Sequence, residues 1–488
     1  MTIGTECVAF SHTFTLNFIQ HFRYFHEVTE GSKYYAAAAK QGYLALDATK
    51  QPAKVAYSSG YLYDVFREEA RQYAWSAVER GYIQPYGLHH WWLDCDEPCG
   101  DEQGISELLY NNGTWPASLV GAAFPHMVDR MVWEGTTKDN PSLDNVMLGR
   151  SAWAGSQRYG GAVWSGDTSS NFENLNQQFR AGLNLVMSGI PYWTTDIGGY
   201  NGGNISSPGF RELIVRWFAW GAFCPLFRSH GRRSGGATPP DDGGQCGRTG
   251  AGNEIWEFGA EAEAAIARIM RVREQLRPYI MEQYRAAAET GAPIMRPLFY
   301  DFFDDATAAT VEDQLMFGPD YLVAPQLEEA SSSRFVYLPQ LAAPFVWQGY
   351  FDGVVHNTSA GAINVSVLTP LDGTLPLFRR HRAVCYPKPL PPPPPPHPNP
   401  PVQCGASCTE HTSTDKVGSG HLVDAKCETF ADCCAMCKKN ANCGAFVFGP
   451  KDAGDNPSVS NPLTCFLMAP TNLTRPASNR AFGCLRSS

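Results

Sequence analysis

The chain has 488 residues, 43% of them hydrophobic, and carries 48 acidic against 38 basic side chains for a formal charge of −10. That length suggests about two to four domains around sizeable cores. The acidic balance argues against nucleic acid, whose binders concentrate basic charge, and no apolar run reaches the ~20 residues of a membrane helix.

Residues 1–33 show no clear period. The stretch 1–22 has neither a basic start nor a clean apolar run, so it does not read as a signal peptide. From Tyr34 onward, helical and strand patterns alternate. The spacing predicts a helix over 64–81: Ala70, Tyr73, Ala74, Ala77 and Val78 keep the i, i+3, i+4 pattern, Asp64 offers a start cap and Gly81 a stop. A strand at 91–94 follows, then a long loop, a helix near 127–133, and strands at 145–150 and 162–167. A helix over 172–188 places Phe172, Leu175, Phe179, Leu183 and Val186 on one face, with Gly189 closing it. Next come a strand ending at Asp196, a helix over 211–221, and a strand over 223–227 that opens on Arg228 and His230. Residues 254–290 read as one long helical stretch. Such alternation argues for parallel strands joined by crossover helices.

The period changes near Ala292. Short β-branched and aromatic runs at 314–317, 321–324, 335–338 and 363–368, with Gly, Pro and Asn between them, predict an antiparallel β-sandwich. Pro391 to Pro396 form an uninterrupted run, a stiff extended spacer. Nine of the 15 cysteines then fall at Cys404, Cys408, Cys427, Cys433, Cys434, Cys437, Cys443, Cys465 and Cys484, which reads as a disulfide framework made in an oxidising compartment. Cys434 and Cys437 have the spacing of a zinc knuckle, but so many neighbouring cysteines favour disulfides. Sequons at Asn112, Asn204, Asn357, Asn364 and Asn472 point the same way, toward the secretory pathway or cell wall. The order expected is an unassigned start at 1–33 with room for a third barrel strand, a catalytic barrel portion at 34–291, a β-sandwich at 292–386, a linker at 387–403 and a cysteine-rich module at 404–488.

Four strand ends carry the chemistry. Trp91-Trp92-Leu93-Asp94-Cys95-Asp96-Glu97, Ala162-Val163-Trp164-Ser165-Gly166-Asp167 and Pro191-Tyr192-Trp193-Thr194-Thr195-Asp196 end on aspartates, and Leu148-Gly149-Arg150 ends on an arginine. In a (β/α) barrel such ends share one pocket. Cleavage of a glycosidic bond needs two carboxyl groups, and retention of configuration needs them about 5–5.5 Å apart. Asp94 and Asp167 are the pair, with Arg150 as the cation that keeps a nucleophile ionised. A dry setting beside Trp164 suits the group that must hold a proton. Asp196 and His230 are placed to hydrogen-bond sugar hydroxyls, while Trp92, Trp164, Trp193 and Tyr200 offer apolar walls. Asp94, Asp96 and Glu97 could instead surround a divalent cation, but no glycine-bearing calcium loop encloses them.

At these residues the chain resembles glycoside hydrolase family 31. Trp92-Leu93-Asp94-Cys95-Asp96-Glu97 looks like the family's nucleophile motif. Gly149-Arg150-Ser151-Ala152 followed by Trp164-Ser165-Gly166-Asp167 looks like its acid/base segment. Thr195-Asp196-Ile197-Gly198-Gly199-Tyr200 and Phe227-Arg228-Ser229-His230-Gly231 match two further signatures. The resemblance implies an α/β fold, a (β/α)₈-type barrel here lacking its first strands, followed by an antiparallel β-sandwich. It implies Asp94 as nucleophile and Asp167 as acid/base. Trp92, Arg150, Trp164, Trp193, Asp196, Tyr200, Arg228 and His230 would surround the sugar, with Asp96 and Glu97 behind them. No cofactor and no metal are implied, because two carboxyl groups suffice.

The Trp91-Trp92 pair, Gln157-Arg158-Tyr159-Gly160 and Phe223-Cys224-Pro225 look most like the α-xylosidase branch, with α-glucosidases close. The family carries a sandwich and two barrel strands ahead of this region, so an incomplete start is expected. The cysteine-rich module resembles a PAN/Apple module, which implies a carbohydrate or protein ligand. The partner expected is an oligosaccharide or polysaccharide. A catalytically inactive, cell-wall carbohydrate-binding protein is the competing reading.

Overall fold

The computed structural model describes residues 26–56, 60–86, 90–141, 146–236 and 250–382, the backbone of 19–23, and the backbone of five strands between 408 and 482. The chain divides into two compact units, Met1–Leu390 and Pro391–Ser488. The proline run, Asn472 and the Cys434/Cys437 pair lie outside the described residues.

The first unit is built on a parallel sheet. Its strands are β1 (Ile19–Arg23), β2 (His90–Asp94), β3 (Met147–Gly149), β4 (Gly161–Trp164) and β5 (Trp193–Thr194), hydrogen-bonded in that order. The first of them lies within 1–33, the stretch with no clear period. Among the described residues the sheet has five strands and does not close on itself. The strand expected at 223–227 is absent. There the chain turns, with Phe223 and Cys224 donating back to Trp220 and Gly221. Two isolated contacts run on beside β5: Leu226 N donates to Trp193 O, and Ser229 bridges parallel to Ile197.

Helices cover the outer face. They are α1 (Glu68–Val78), α2 (Phe124–Asp139), α3 (Phe172–Met187), α4 (Pro208–Gly221), α5 (Ala260–Gln275) and α6 (Arg277–Thr290). Two details of the first helix depart from expectation. Asp64 does not cap it, because its carboxylate accepts from the backbone N–H groups of Asn111 and Asn112 at 3.0 Å each. Gly81 does not stop it, because a wider turn over Glu79–Ile83 carries the helical path on to Tyr86. The long stretch at 254–290 is broken at Leu276, with Pro278 in the first turn of α6. The third helix matches its pattern: Asn171 caps it through the N–H of Asn174, and Gly189 beyond its end has φ +89°.

Strand parity divides the apolar residues between two faces. Trp91, Leu93 and Met147 pack outward with Trp75, Val128 and Val132. Trp92, Leu148, Ala162 and Trp164 form a separate inner cluster. Val163 and Trp193 join Leu175, Phe179 and Leu183 of α3 in a third, larger core. Trp193 is admitted by Gly182 of α3, where an added Cβ would stand 2.5 Å from its Nε1 and 3.0 Å from Met295 Cε.

The β domain that follows has a six-stranded antiparallel sheet facing a two-stranded one. In chain order the strands are β6 (Met295–Pro297), β7 (Leu315–Phe317), β8 (Tyr321–Val323), β9 (Ser333–Leu338), β10 (Phe345–Gly349), β11 (Val355–His356), β12 (Ile363–Leu368) and β13 (Leu377–Arg382). The larger sheet runs β6-β7-β8-β13-β10-β11 and the smaller pairs β9 with β12. Met316, Leu322, Trp347 and Phe378 of one sheet meet Val336 and Leu338 of the other in a dry core. The second unit is a five-stranded antiparallel sheet in which Cys408 stands opposite Cys427 in register.

Gly182→Ala is expected to destabilise the first unit. Overpacking against a rigid indole costs about 1–3 kcal/mol, of which helix propensity returns at most about 1. A urea denaturation midpoint equal to or above wild type would contradict this packing.

Candidate active site

Because the strands are parallel, the ends of β2 to β5 open on one side of the sheet. Asp94 shares the inner face with Trp92 and is 4% exposed. Just past it, Cys95 adopts φ +61° and is joined by a disulfide to Cys99, folding residues 95–99 into a tight loop. Arg150, at the end of β3, lies in the mouth of that loop. Its Nη1 is 3.0 Å from Asp94 Oδ1, its Nε donates to Glu97 Oε2 at 3.2 Å, and its Nη2 contacts Glu97 Oε1 and the sulfurs of Cys95 and Cys99. Its backbone N–H is shared between Leu93 O and Asp96 Oδ1, each at 3.1 Å. Burial alone would weaken the guanidinium's hold on its proton. Glu97, Asp94 and Asp167 outweigh it and raise the pKa further.

Asp167 reaches the same cation from the next strand. Gly166, at φ +73°, turns the chain after β4 against the Arg150 side chain. The loop is tied across to the next strand end: Thr168 O accepts from the N–H groups of Tyr200 and Asn201 at 2.8 and 2.9 Å. The charge of Asp167 is felt by both Arg150 and Asp196.

Asp196 is fully buried and paired with Arg228 Nη1. Burial pushes its carboxyl up to about 6, with the charge of Arg228 opposing and that of Asp167 assisting. Its Oδ2 has no hydrogen-bond partner among the described residues. Arg228 lies over the rings of Trp92 and Trp164, 4.7 and 5.6 Å from their centroids. His230 stands edge-on to Trp92 at 4.8 Å and stacks on Tyr200 at 5.2 Å.

Trp92, Asp94, Glu97, Arg150, Trp164, Asp167, Asp196, Tyr200, Arg228 and His230 are therefore brought together. One residue of the expected set is not. Trp193 has the opposite strand parity to Tyr192 and Thr194, so it faces α3 instead of the strand-end cluster. Asp96, expected behind the sugar-binding residues, stands there: it accepts from the Arg150 N–H and turns its other oxygen toward Asp129 of α2. The three acids of the Asp94–Glu97 segment diverge, and among the described residues no group of three or more His, Cys, Asp or Glu is arranged to hold a metal ion.

Three buried residues support the site from behind or beside it, without a signal strong enough to find them in the sequence. His26, 2% exposed, faces Asp94 and hydrogen-bonds the backbone of Cys95; burial drives its imidazole down to about 3, so it is neutral. It lies in the stretch that shows no period. Arg233, 1% exposed, donates to Gly199 O, Ile197 O, His230 O and Asn253 Oδ1 and so clamps the turn carrying Tyr200. Gly198 and Gly231, both at positive φ, leave room for its guanidinium. The doublet Arg232-Arg233 after His230-Gly231 was its only trace. Asp129 is the third, hidden on an otherwise ordinary amphipathic helix.

A parallel α/β sheet thus carries carboxylates, a guanidinium and indoles at its strand ends and is followed by an antiparallel β domain. Residues 11–283 match the family 31 glycosyl hydrolase TIM-barrel domain and residues 291–384 the C-terminal domain of the same family. The chain belongs to glycosyl hydrolase family 31. It is 34% identical to the alpha-xylosidase of Saccharolobus solfataricus, over 66% of this chain and 41% of that one. It is 30% identical to alpha-xylosidase A of Aspergillus niger, over 72% and 51%. Among solved structures it is similar to a GH31 alpha-xylosidase from a soil metagenome complexed with xylose, with a TM-score of 0.66 and 39% identity over 74% of this chain and 52% of that one. The chain thus spans about half the length of the relatives it matches.

The raised pKa of Asp196 has a definite sign. The folded protein keeps a proton that the unfolded chain has released above its ordinary 3.8, so this group's contribution to stability falls as pH rises from that value to about 6. In protein labelled with carbon-13 at Asp carboxyls, a resonance titrating near 6 is expected, and it should be missing from Asp196→Asn. Its survival in that variant would assign it elsewhere.

Proposed function

We propose that this chain is the catalytic part of a retaining α-glycosidase that removes a terminal α-linked sugar, xylose in preference to glucose, from an oligosaccharide or polysaccharide. The observation that carries the reading is Arg150, in contact with Asp94 and in the field of Asp167. One guanidinium on β3, with a carboxyl group from the strand on each side of it, suits the roughly 5–5.5 Å separation that a retaining pair needs.

In the first step an Asp94 carboxylate oxygen attacks the anomeric carbon from the β face. The glycosidic oxygen leaves with the proton of Asp167, and a β-glycosyl ester forms on Asp94. In the second step Asp167, now ionised, takes a proton from water, the hydroxide oxygen attacks the anomeric carbon, and Asp94 departs as a carboxylate. The α-configured sugar is released and Asp167 is protonated again. Arg150 favours the ionised form of Asp94 in both halves. Asp196 offers its unpartnered oxygen to a sugar hydroxyl, and His230 a ring nitrogen. Trp92, Trp164 and Tyr200 wall the sugar. The preference for xylose is supported by the named alpha-xylosidases among the relatives.

The Cys95–Cys99 bond and the exposed sequon residues Asn112, Asn204, Asn357 and Asn364 support a secretory location. The cysteine-rich second unit then reads as a carbohydrate- or protein-binding module.

The test is release of p-nitrophenol from the α-xyloside and α-glucoside by the full chain. Asp94→Gly and Asp167→Gly should each lose at least about a thousandfold in kcat. Azide should restore Asp94→Gly with a β-glycosyl azide, because azide replaces the missing nucleophile. It should restore Asp167→Gly with the α-azide, because it attacks the β-ester. The same anomer from both variants, or wild-type turnover in either, would overturn the assignment.

A further inference from the structure

Asp96 belongs to the nucleophile segment but faces away from the sugar. Its Oδ1 holds the Arg150 N–H at 3.1 Å. Its Oδ2 is aimed at Gly149, where an added Cβ would lie 2.7 Å away. Asp129 on α2 brings its Oδ1 within 3.8 Å of that same point, and its two oxygens lie 3.3 and 3.5 Å from the Cβ position of Gly161. The two acids are 0% and 2% exposed. The Oδ2 of Asp96 and the Oδ1 of Asp129 have no hydrogen-bond partner among the described residues. Two glycines on neighbouring strands thus leave space for two buried carboxyl groups whose unpartnered oxygens both lie near the Cβ position of Gly149.

Two such groups cannot both stay ionised without further cations. The charged groups facing them are Glu97, a third acid, and Arg150, already engaged by Asp94 and Glu97. From the turn after β3, Ser156 contributes only a hydroxyl, to Asp129. We propose that Asp96 and Asp129 together retain one proton, and that this pair is a positioning device that fixes Arg150 and, through it, Asp94. The proposal rests on the reading of Arg150 and Asp94 given above. The electrostatics agree with the geometry. Burial and the charge of Asp129 lift Asp96 well above the carboxylate range, and burial carries Asp129 to about 7.

The consequence is a pH limit outside the reacting groups. As pH rises the pair loses its proton, the two carboxylates repel, and the Arg150 backbone loses its fixed acceptor. An amide at 129 would donate to Asp96 at every pH. Asp129→Asn in the full chain is therefore expected to keep the wild-type kcat at pH 5–6 and to hold it further into the alkaline range. Asp129→Leu should lower kcat on the order of tenfold, with little change in KM.

Stability gives a readout independent of catalysis. The folded pair retains a proton that the unfolded chain gives up near 3.8, so the wild-type Tm should fall as pH rises toward and through 7, and fall less in Asp129→Asn. Asp129→Asn with a wild-type pH profile and a wild-type Tm slope would overturn the proposal. So would an Asn variant as impaired as the Leu variant. A wild-type chain that cleaves neither aryl glycoside would sink the glycosidase reading instead, leaving the Tm slopes to decide for or against the shared proton.

Discussion

Arg150 is a cation with 16% of its side chain exposed, held where two strand ends and a disulfide-closed loop meet. A charge so far out of water persists only with counter-charges in place, and this one has Asp94 and Glu97 in contact and Asp167 in its field. The dependence is mutual. Asp94 is more buried still, and the arginine is the counter-charge in contact with it. The backbone N–H of Arg150 bonded to Leu93 O is also a rung of the parallel ladder, so sheet register and site geometry are one constraint.

A second constraint is the two-residue period of the strands. Trp91 and Trp92 are neighbours in sequence but stand on opposite faces of the sheet, one against Trp75 and the other against Trp164, each pair edge-to-face at 5.7 Å. The inner pair then carries Arg228 on its rings, and Arg228 carries Asp196. Apolar packing, cation–π contact and ion pair follow one another from the sheet to the pocket rim. Burial along that path lets Asp196 hold a proton to about pH 6 while its neighbour Arg228 stays beside it.

The clamp around Arg233 plays the matching part at the outer loop. One guanidinium satisfies carbonyls of Ile197, Gly199 and His230, groups that a glycine-rich turn would otherwise leave open to water. Burial lowers its pKa to about 10, still far above neutrality, so the clamp stays charged. The turn can therefore be rich in glycine and still hold Tyr200 against His230.

The period-two and helical spacings were enough to locate the strands at 91–94 and 162–167 and helix α3, because those patterns are local and steric. The strand-end aspartates and Arg150 were legible for the same reason: a polar residue ending an apolar strand can point only to the mouth of a parallel sheet. Tertiary contacts decided the rest. Trp193 is as aromatic as Trp164, but it stands on the other face of its strand, where Gly182 of the preceding helix makes room for it in the core. Asp64 looks like a helix cap until the amides of Asn111 and Asn112 claim it, 47 and 48 positions away. His26 and Asp129 have no local signature, and Arg233 has only its doublet with Arg232. What makes them matter is burial beside a charge that comes from elsewhere in the chain, and burial is a property of the packed molecule.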